Sequence, residues 1–474
     1  MSFVAPSESA LEHAHASASA LAPAPAPASL TLTLTLSQEH CFEAFKAGRS
    51  IVVTGPAGCG KSFLIKRMKE HTEQVKTNIA VTALTGAAAA LVNGLTLHSW
   101  AGIGLAAGSS EELFQNMRKF RKQHIQRWVD IDILIIDEIS MMGADLFNKL
   151  NGLAQLIRNN GLFFGGIQVV LCGDFCQLKP VSQDKDAKFC FETATWQKHL
   201  TNDTYYLNTV MRQTDPVFQD LLANIRIGCI TASQKAILDE RIITDDNDAN
   251  LYVEMPDGTR QTIKATTLYP KKNDVNDTNV LQLNKLLASG CSRQVYKSVD
   301  MVMDKRSKAT STVTPSQKEI LDKCCYAPTE ITLAIGAQVM LIKNMPAGSG
   351  LVNGSRGVIV DFNKELSNAP VVMFDNGTEE IMIPDKFETD SGNITLIRLQ
   401  VPLVLAWALT IHKCQGATIT NVITDLTGVF EEAQVYVTLS RVCSLEGLFI
   451  KGINYSKIKC NPRVKKYYED LMKL

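Results

Sequence analysis

Four things are scarce in this sequence. There is no Lys or Arg before Lys46, which argues against an Arg-rich organelle leader and against a secretory signal with a basic start. No apolar run reaches the roughly 18 residues that a membrane span needs. The best candidate, Val401 to Ile411, is too short and reads as a buried strand. Zinc-type cysteine spacing is missing. Among 12 cysteines there is no CxxC pair, and neither Cys172 with Cys176 nor the adjacent Cys324 and Cys325 fits a zinc site. The thiols read as free, in an intracellular reducing compartment, with nucleus and cytoplasm left open. Net charge is absent too, since 48 Lys plus Arg balance 48 Asp plus Glu. Any surface for a polyanion must therefore be local.

What remains is an ordinary globular composition, 45% hydrophobic and 20% charged over 474 residues, enough for two or three domains. Residues 1–29 form an Ala/Pro/Ser-rich tail with an APAPAPA stretch, expected to be disordered. The LTLTLTL stretch ending at Leu36 alternates like a strand, and it equally suits a continuation of the tail. From Ser50 the texture changes. Apolar runs at Ile51–Thr54, Ile79–Thr82, Ile131–Ile136 and Ile167–Cys172 alternate with segments of helical spacing. That alternation predicts a parallel α/β sheet. The expected division is a first α/β domain over 30–208 and a second over 209–474. The stretch from about 337 to 401, with turn signals such as Asn-Gly, predicts a small β-barrel inserted in the second domain.

The chemistry concentrates at Gly55, Pro56, Ala57, Gly58, Cys59, Gly60, Lys61 and Ser62, which fit GxxxxGK[ST] between a predicted strand and a predicted helix. Glycines let backbone N–H groups cradle phosphate oxygens at a helix N-terminus. Lys61 is placed for the β- and γ-phosphates and Ser62 for magnesium. Asp137 and Glu138 close an apolar strand. Asp137 suits magnesium, and Glu138 suits activation of an attacking water; by themselves they are equally two exposed acids ending a strand. Gln177, after the third strand, is placed to sense the γ-phosphate. Arg212 and Arg441 are candidates to neutralise transition-state charge, although singly each is an ordinary surface or ion-pair arginine.

Nine blocks in order, including GPAGCGKS, TLHSWAGIG, IIDEISMM, GDFCQLKPV, LVNGSRGVIV and TIHKCQGATI, resemble the Pif family of DNA helicases, in the RecD-like branch of superfamily one. The resemblance covers roughly residues 30 to 455. It implies two RecA-like domains with ATP and Mg2+ between them, Arg212 and Arg441 acting across the cleft, and ATP-driven 5′-to-3′ movement along single-stranded DNA that unwinds duplex junctions, as a monomer. A DNA-stimulated ATPase that unwinds poorly without a partner is the alternative. The family serves in replication, recombination, repair, telomere and organelle DNA maintenance and in resolving four-stranded guanine structures, and nothing in the sequence chooses among these. The implied DNA track runs over Thr85, Gly86, His98 and Ser99 in the first domain. In the second it runs over His412, Lys413 and Gln415, with Asn353 and Arg356 on the inserted barrel.

Trp100, Phe175 and Trp407 are possible base stackers, or core residues. A basic segment from Met117 to Trp128 carries five Lys or Arg and no acid. It suits either DNA or a solvated helix face. Two departures from the family stand out. His40 occupies the place where an adenine-reading Gln is usual, with Gln38 two residues earlier, which implies broader nucleotide use. Cys59 sits inside the phosphate loop at a helix start, where a thiol can be activated towards alkylation, or can be an inert small residue.

Overall fold

The computed structural model describes residues 34–473 apart from residues 93, 105, 181–185, 245–250, 255–259, 264, 305–306, 326, 344, 346–350, 352–353, 392–393 and 415–417. The expected tail, residues 30–33 of the LTLTLTL stretch, Asn353 and Gln415 lie outside the described residues. The end of that stretch is no strand. Thr35 caps the helix Leu36–Lys46 through a capping box with Gln38.

The first lobe is a six-stranded sheet. Its strands are β1 (Ile51–Thr54), β2 (Ile79–Ala83), β3 (Leu95–Thr96), β4 (Ile133–Asp137), β5 (Gln168–Gly173) and β6 (Thr204–Tyr206). Their order is β3-β2-β4-β5-β1-β6, every pair parallel. Every residue of β1 and β4 is buried, because helices cover both faces and the strands read as continuous apolar runs. Successive side chains take opposite faces. Val52, Leu134 and Ile136 enter one core with Trp128, Phe147 and Trp196. Ile51, Val53, Ile133 and Ile135 enter the other with Phe45, Leu64 and Met68.

The second lobe has a parallel four-stranded sheet ordered Ala408–Thr410, Thr266–Tyr269, Val422–Leu426, Leu448–Ile453. Between its strands lies the antiparallel region, which is wider than the expected 337–401. Its strands begin at Arg293 and run to Leu405, in a five-stranded and a four-stranded sheet plus a two-stranded pair. Val339, Ile359, Val372 and Phe374 fill its core.

The chain does not end in the second lobe, as the expected boundary at 209–474 required. Ile458 packs in the second lobe's core. The helix Pro462–Leu471 then crosses back, and Val464 and Tyr468 join the core of the first lobe. No helix among the described residues is long and apolar enough to cross a membrane.

Candidate nucleotide site and nucleic-acid track

The loop between β1 and the helix Lys61–Val75 is shaped by its glycines. Gly58 and Gly60 have φ of 79° and 83°, a left-handed backbone that strains any other residue. A Cβ on Gly58 would meet Arg212 Cβ at 2.6 Å, and one on Gly60 would meet Gln38 Nε2 at 2.5 Å. Gly60 is the N-cap and brings no side chain to the helix start. The first N–H groups therefore stay available as an anion seat. Lys61 Nζ donates to the carbonyls of Gly55 at 2.8 Å and Pro56 at 2.9 Å. Burial opposes the lysine charge, but Cys59, Asp174, Glu138 and Asp137 together hold its pKa above the ordinary value.

β4 delivers Asp137 at its carboxyl end. Glu138 then turns sharply with φ 56°, and its N–H donates to Asp137 Oδ1 at 2.8 Å. Burial, then the neighbouring Glu138 charge, push the Asp137 carboxyl up to about 7. Two crowded, desolvated acids favour a cation between them. Gln177 Oε1 is buried nearby and has no hydrogen-bond partner among the described residues.

The arginines arrive from the other side. Arg212 Nε donates to Thr418 Oγ1 at 3.0 Å and its NH1 to the Ser440 carbonyl at 2.9 Å. Arg441 follows the helix Gln434–Leu439; its Nε donates to the Val437 carbonyl and its NH2 to Ser440 Oγ, each at 2.9 Å. Burial and then the Arg441 charge push Arg212 down to about 9. Burial also lowers Arg441, against the pull of Glu138. Lys61, Ser62, Asp137, Glu138, Gln177, Arg212 and Arg441 all line one cavity of about 380 Å³. A larger one, about 610 Å³, opens behind Pro56 and Ala57. It contains neither Lys61 nor the paired acids, so phosphate chemistry belongs to the smaller.

The loop seat, the paired acids and the unpartnered Gln177 fit a magnesium nucleotide. Comparison with known proteins gives the family. A crystal structure of Pif1 helicase from Candida albicans superposes with a TM-score of 0.74 at 34% identity, covering 93% of this chain and all of that one. The chain belongs to the Pif1-like helicase family. The family model described as PIF1-like helicase matches residues 33–236, and that of the DNA helicase Pif1 2B domain matches 318–362. The ATP-dependent DNA helicase PIF1 of Xenopus laevis is 38% identical over 90% of this chain, which spans 62% of that protein's length. A Bacteroides Pif1 in complex with ADP-AlF4 is similar too, with a TM-score of 0.72 at 26% identity, covering 93% of this chain and 98% of that one.

Several site residues of this Pif1-like chain sit otherwise than expected. Gln38 does not face a nucleotide base. It is wholly buried, its Oε1 accepts from Thr35 N at 2.9 Å, and its Nε2 donates to the carbonyls of Cys59 and Gly60 at 3.3 and 3.5 Å. Its role is to brace the loop, while His40 is exposed on the same helix. Cys59 is 1% exposed and packs with Val53 and Leu64, which favours the inert reading, while Lys61 Nζ donates to its sulfur at 3.6 Å. Arg356 does not face DNA. It is 1% exposed, donating through NH1 to Thr266 Oγ1 at 2.9 Å and the Asn421 carbonyl at 3.3 Å. It pins the antiparallel region to the second lobe's sheet. Trp100, Phe175 and Trp407 are core residues; Trp100 stacks obliquely on Trp128 at 4.8 Å.

The track residues of the first lobe fall at two short helices. Thr85 and Gly86 open the short helix Gly86–Leu91, and His98 and Ser99 lie on Leu97–Ala101. Gly86 is exposed and the other three are half-buried; burial lowers the His98 pKa. His412 and Lys413 fall in a short helical turn, Ile411–Cys414, and their side chains lie outside the description. The basic segment is not one helix but two, broken at Arg121. Met117, His124 and Trp128 point inward, and Arg118, Lys119, Arg121 and Lys122 are exposed.

Sequence reasoning passed over a buried polar cluster behind the loop. Asp174 is bound by Arg226, and accepts from Tyr468 Oη at 3.0 Å and Tyr436 Oη at 3.4 Å. Tyr436 Oη in turn accepts from Ala57 N at 2.8 Å, and Tyr468 Oη bonds Thr54 Oγ1 at 2.6 Å. One signal was present. In the helix Pro216–Arg226, Phe218, Leu222 and Arg226 recur every four residues, so the arginine shares the apolar face.

Proposed function

We propose that this chain is an ATP-driven motor that moves along single-stranded DNA, 5′ to 3′, and unwinds duplex junctions. The observation that carries the reading is the convergence of Lys61, Asp137, Glu138 and Gln177 of one lobe with Arg212 and Arg441 on a single cavity. Phosphoryl transfer is catalysed by positioning and charge, and that is what this set offers. Lys61 and the loop N–H groups hold phosphate oxygens. Ser62 and Asp137 would hold magnesium, which would supply Lewis-acid charge when bound. Glu138 orients and deprotonates water, Gln177 reads the γ-phosphate, and the two guanidiniums neutralise the transition state. Their anchors Thr418, Ser440 and Val437 all lie in the second lobe, so drawing the arginines inward draws that lobe with them.

The track reading is supported by Thr85, Gly86, His98 and Ser99 at two short helices that follow one another in the chain. The exposed Arg118, Lys119, Arg121 and Lys122 supply local charge that the neutral whole lacks. Action as a monomer in a reducing compartment belongs to the same proposal.

The test is steady-state hydrolysis of ATP with magnesium, with and without single-stranded DNA, for the native chain and Lys61→Ala. Strong DNA stimulation that Lys61→Ala abolishes supports the motor. Hydrolysis indifferent to DNA overturns the assigned track and favours a translocase that depends on a partner.

A further inference from the structure

Cys176 and Cys460 are 284 residues apart in sequence, yet their sulfurs lie 3.9 Å apart. Cys176 is buried directly before Gln177, on the loop that follows β5. Cys460 is partly exposed, two residues before the helix Pro462–Leu471. It stands on the segment that crosses from the second lobe's core at Ile458 to the first lobe's core at Val464.

We propose that Cys176 and Cys460 form a reversible disulfide that arrests the motor when a peroxide reaches Cys460. The pair has the asymmetry that such chemistry needs. The hydrogen bond with Cys176 holds the Cys460 thiol below its ordinary pKa, against burial and with help from Arg226. Burial pushes Cys176 well up. Cys460 is thus the more reachable and more acidic thiol, and Cys176 the resolving thiol. The Cys460 sulfur attacks the peroxide O–O bond, becoming a sulfenic acid and releasing water. The Cys176 sulfur attacks that sulfenic sulfur, and its proton leaves with the hydroxyl as a second water. Two thiols and one hydrogen peroxide give one disulfide and two waters, the two electrons passing from sulfur to peroxide. A dithiol reductant reverses the exchange.

The consequence for the site is geometric. A disulfide needs the sulfurs at about 2.05 Å, so the pair must close from 3.9 Å. Cys176 N donates to Asp174 Oδ1 at 3.1 Å, and Gln177 N to the Asp174 carbonyl at 2.9 Å. The loop is stiff, and a pull on Cys176 moves Gln177 with it. A misplacement of about 1 Å away from the chemistry can cost about a hundredfold in rate. Cys176 belongs to the first lobe's core and Cys460 packs against it, so the bond would act on the γ-phosphate sensor itself.

The full chain is titrated with hydrogen peroxide, digested without reductant, and read by mass spectrometry for a peptide joining Cys176 to Cys460. Hydrolysis of ATP is followed in parallel, on which arm the test rests on the motor reading. The expected result is the linked peptide together with a loss of at least about tenfold in turnover, both reversed by dithiothreitol. Cys460→Ser should fold, hydrolyse ATP normally and resist peroxide. No linked peptide, a linked peptide with unchanged turnover, or a Cys460→Ser chain that is inactivated as fast as the native overturns the proposal. The linkage is read by mass alone, so a failure of DNA to stimulate hydrolysis leaves it standing or falling separately.

Discussion

The Arg226 guanidinium grips the Asp174 carboxylate through both oxygens, with Nε 3.0 Å from Oδ2 and NH2 2.8 Å from Oδ1. The pair is 5% and 0% exposed. It joins the loop after β5 to the helix Pro216–Arg226, directly behind the phosphate loop. Removing one partner of a buried pair strands the other charge. Arg226→Leu should lower stability by about 3–5 kcal/mol in urea unfolding at neutral pH. Adding Asp174→Asn to it should restore part of that loss. A single variant that unfolds within about 0.5 kcal/mol of native would show that the pair is not a structural anchor.

The same pair sets an acid dependence. Burial alone would raise the Asp174 pKa, but the charge and hydrogen bonds of Arg226 overcome it and hold the carboxyl below the ordinary value. A group depressed in the folded state stabilises it above the unfolded value, about 3.9. That stability is lost as pH falls through the folded value. Native unfolding should therefore show a steep loss of stability below about pH 4. Arg226→Leu should flatten it, which unfolding curves from pH 7 to pH 3 would read.

Arg356 gives a prediction that separates structure from DNA contact. Its guanidinium reaches Thr266 in the second lobe's sheet and Asn421 just before the strand Val422–Leu426, not solvent. Arg356→Ala should cost roughly 1–3 kcal/mol of stability. It should leave the slope of DNA affinity against salt concentration unchanged, whereas loss of a phosphate contact lowers that slope by about 1. A lower slope without a change in thermal stability would return Arg356 to the DNA track.

Much of this architecture could be read from the sequence, for identifiable reasons. The strands of the first lobe are continuous apolar runs because helices cover both faces, so period and burial agree. The phosphate loop was legible because its glycines and Lys61 answer to one local geometry. Contacts between distant segments left weaker marks. The return of Tyr468 to the first lobe depends on a helix of only ten residues, whose two buried residues, Val464 and Tyr468, say nothing about which core receives them. Arg356 follows a turn-rich stretch that reads as exposed, yet its position on a strand facing the second sheet buries it. Gln38 and His40 were separable only by seeing which side chain the capping box at Thr35 consumes.

That last distinction decides how selective the site is for its base. Both ends of the Gln38 amide are occupied, by Thr35 N and by the Cys59 and Gly60 carbonyls, so Gln38 cannot read a base edge. His40 is the exposed neighbour on the same helix. An amide side chain matches the N6 and N7 positions of adenine with a donor and an acceptor together, a bidentate pair worth about 1–3 kcal/mol of discrimination. A neutral imidazole carries its donor and acceptor on opposite ring edges and offers one at a time. The native chain should therefore turn over ATP and GTP with kcat/KM values within about tenfold. His40→Gln should shift the ratio towards ATP while leaving Lys61-dependent hydrolysis intact. Strict ATP preference in the native chain, unmoved by His40→Gln, would mean that the base is recognised elsewhere or not by this helix at all.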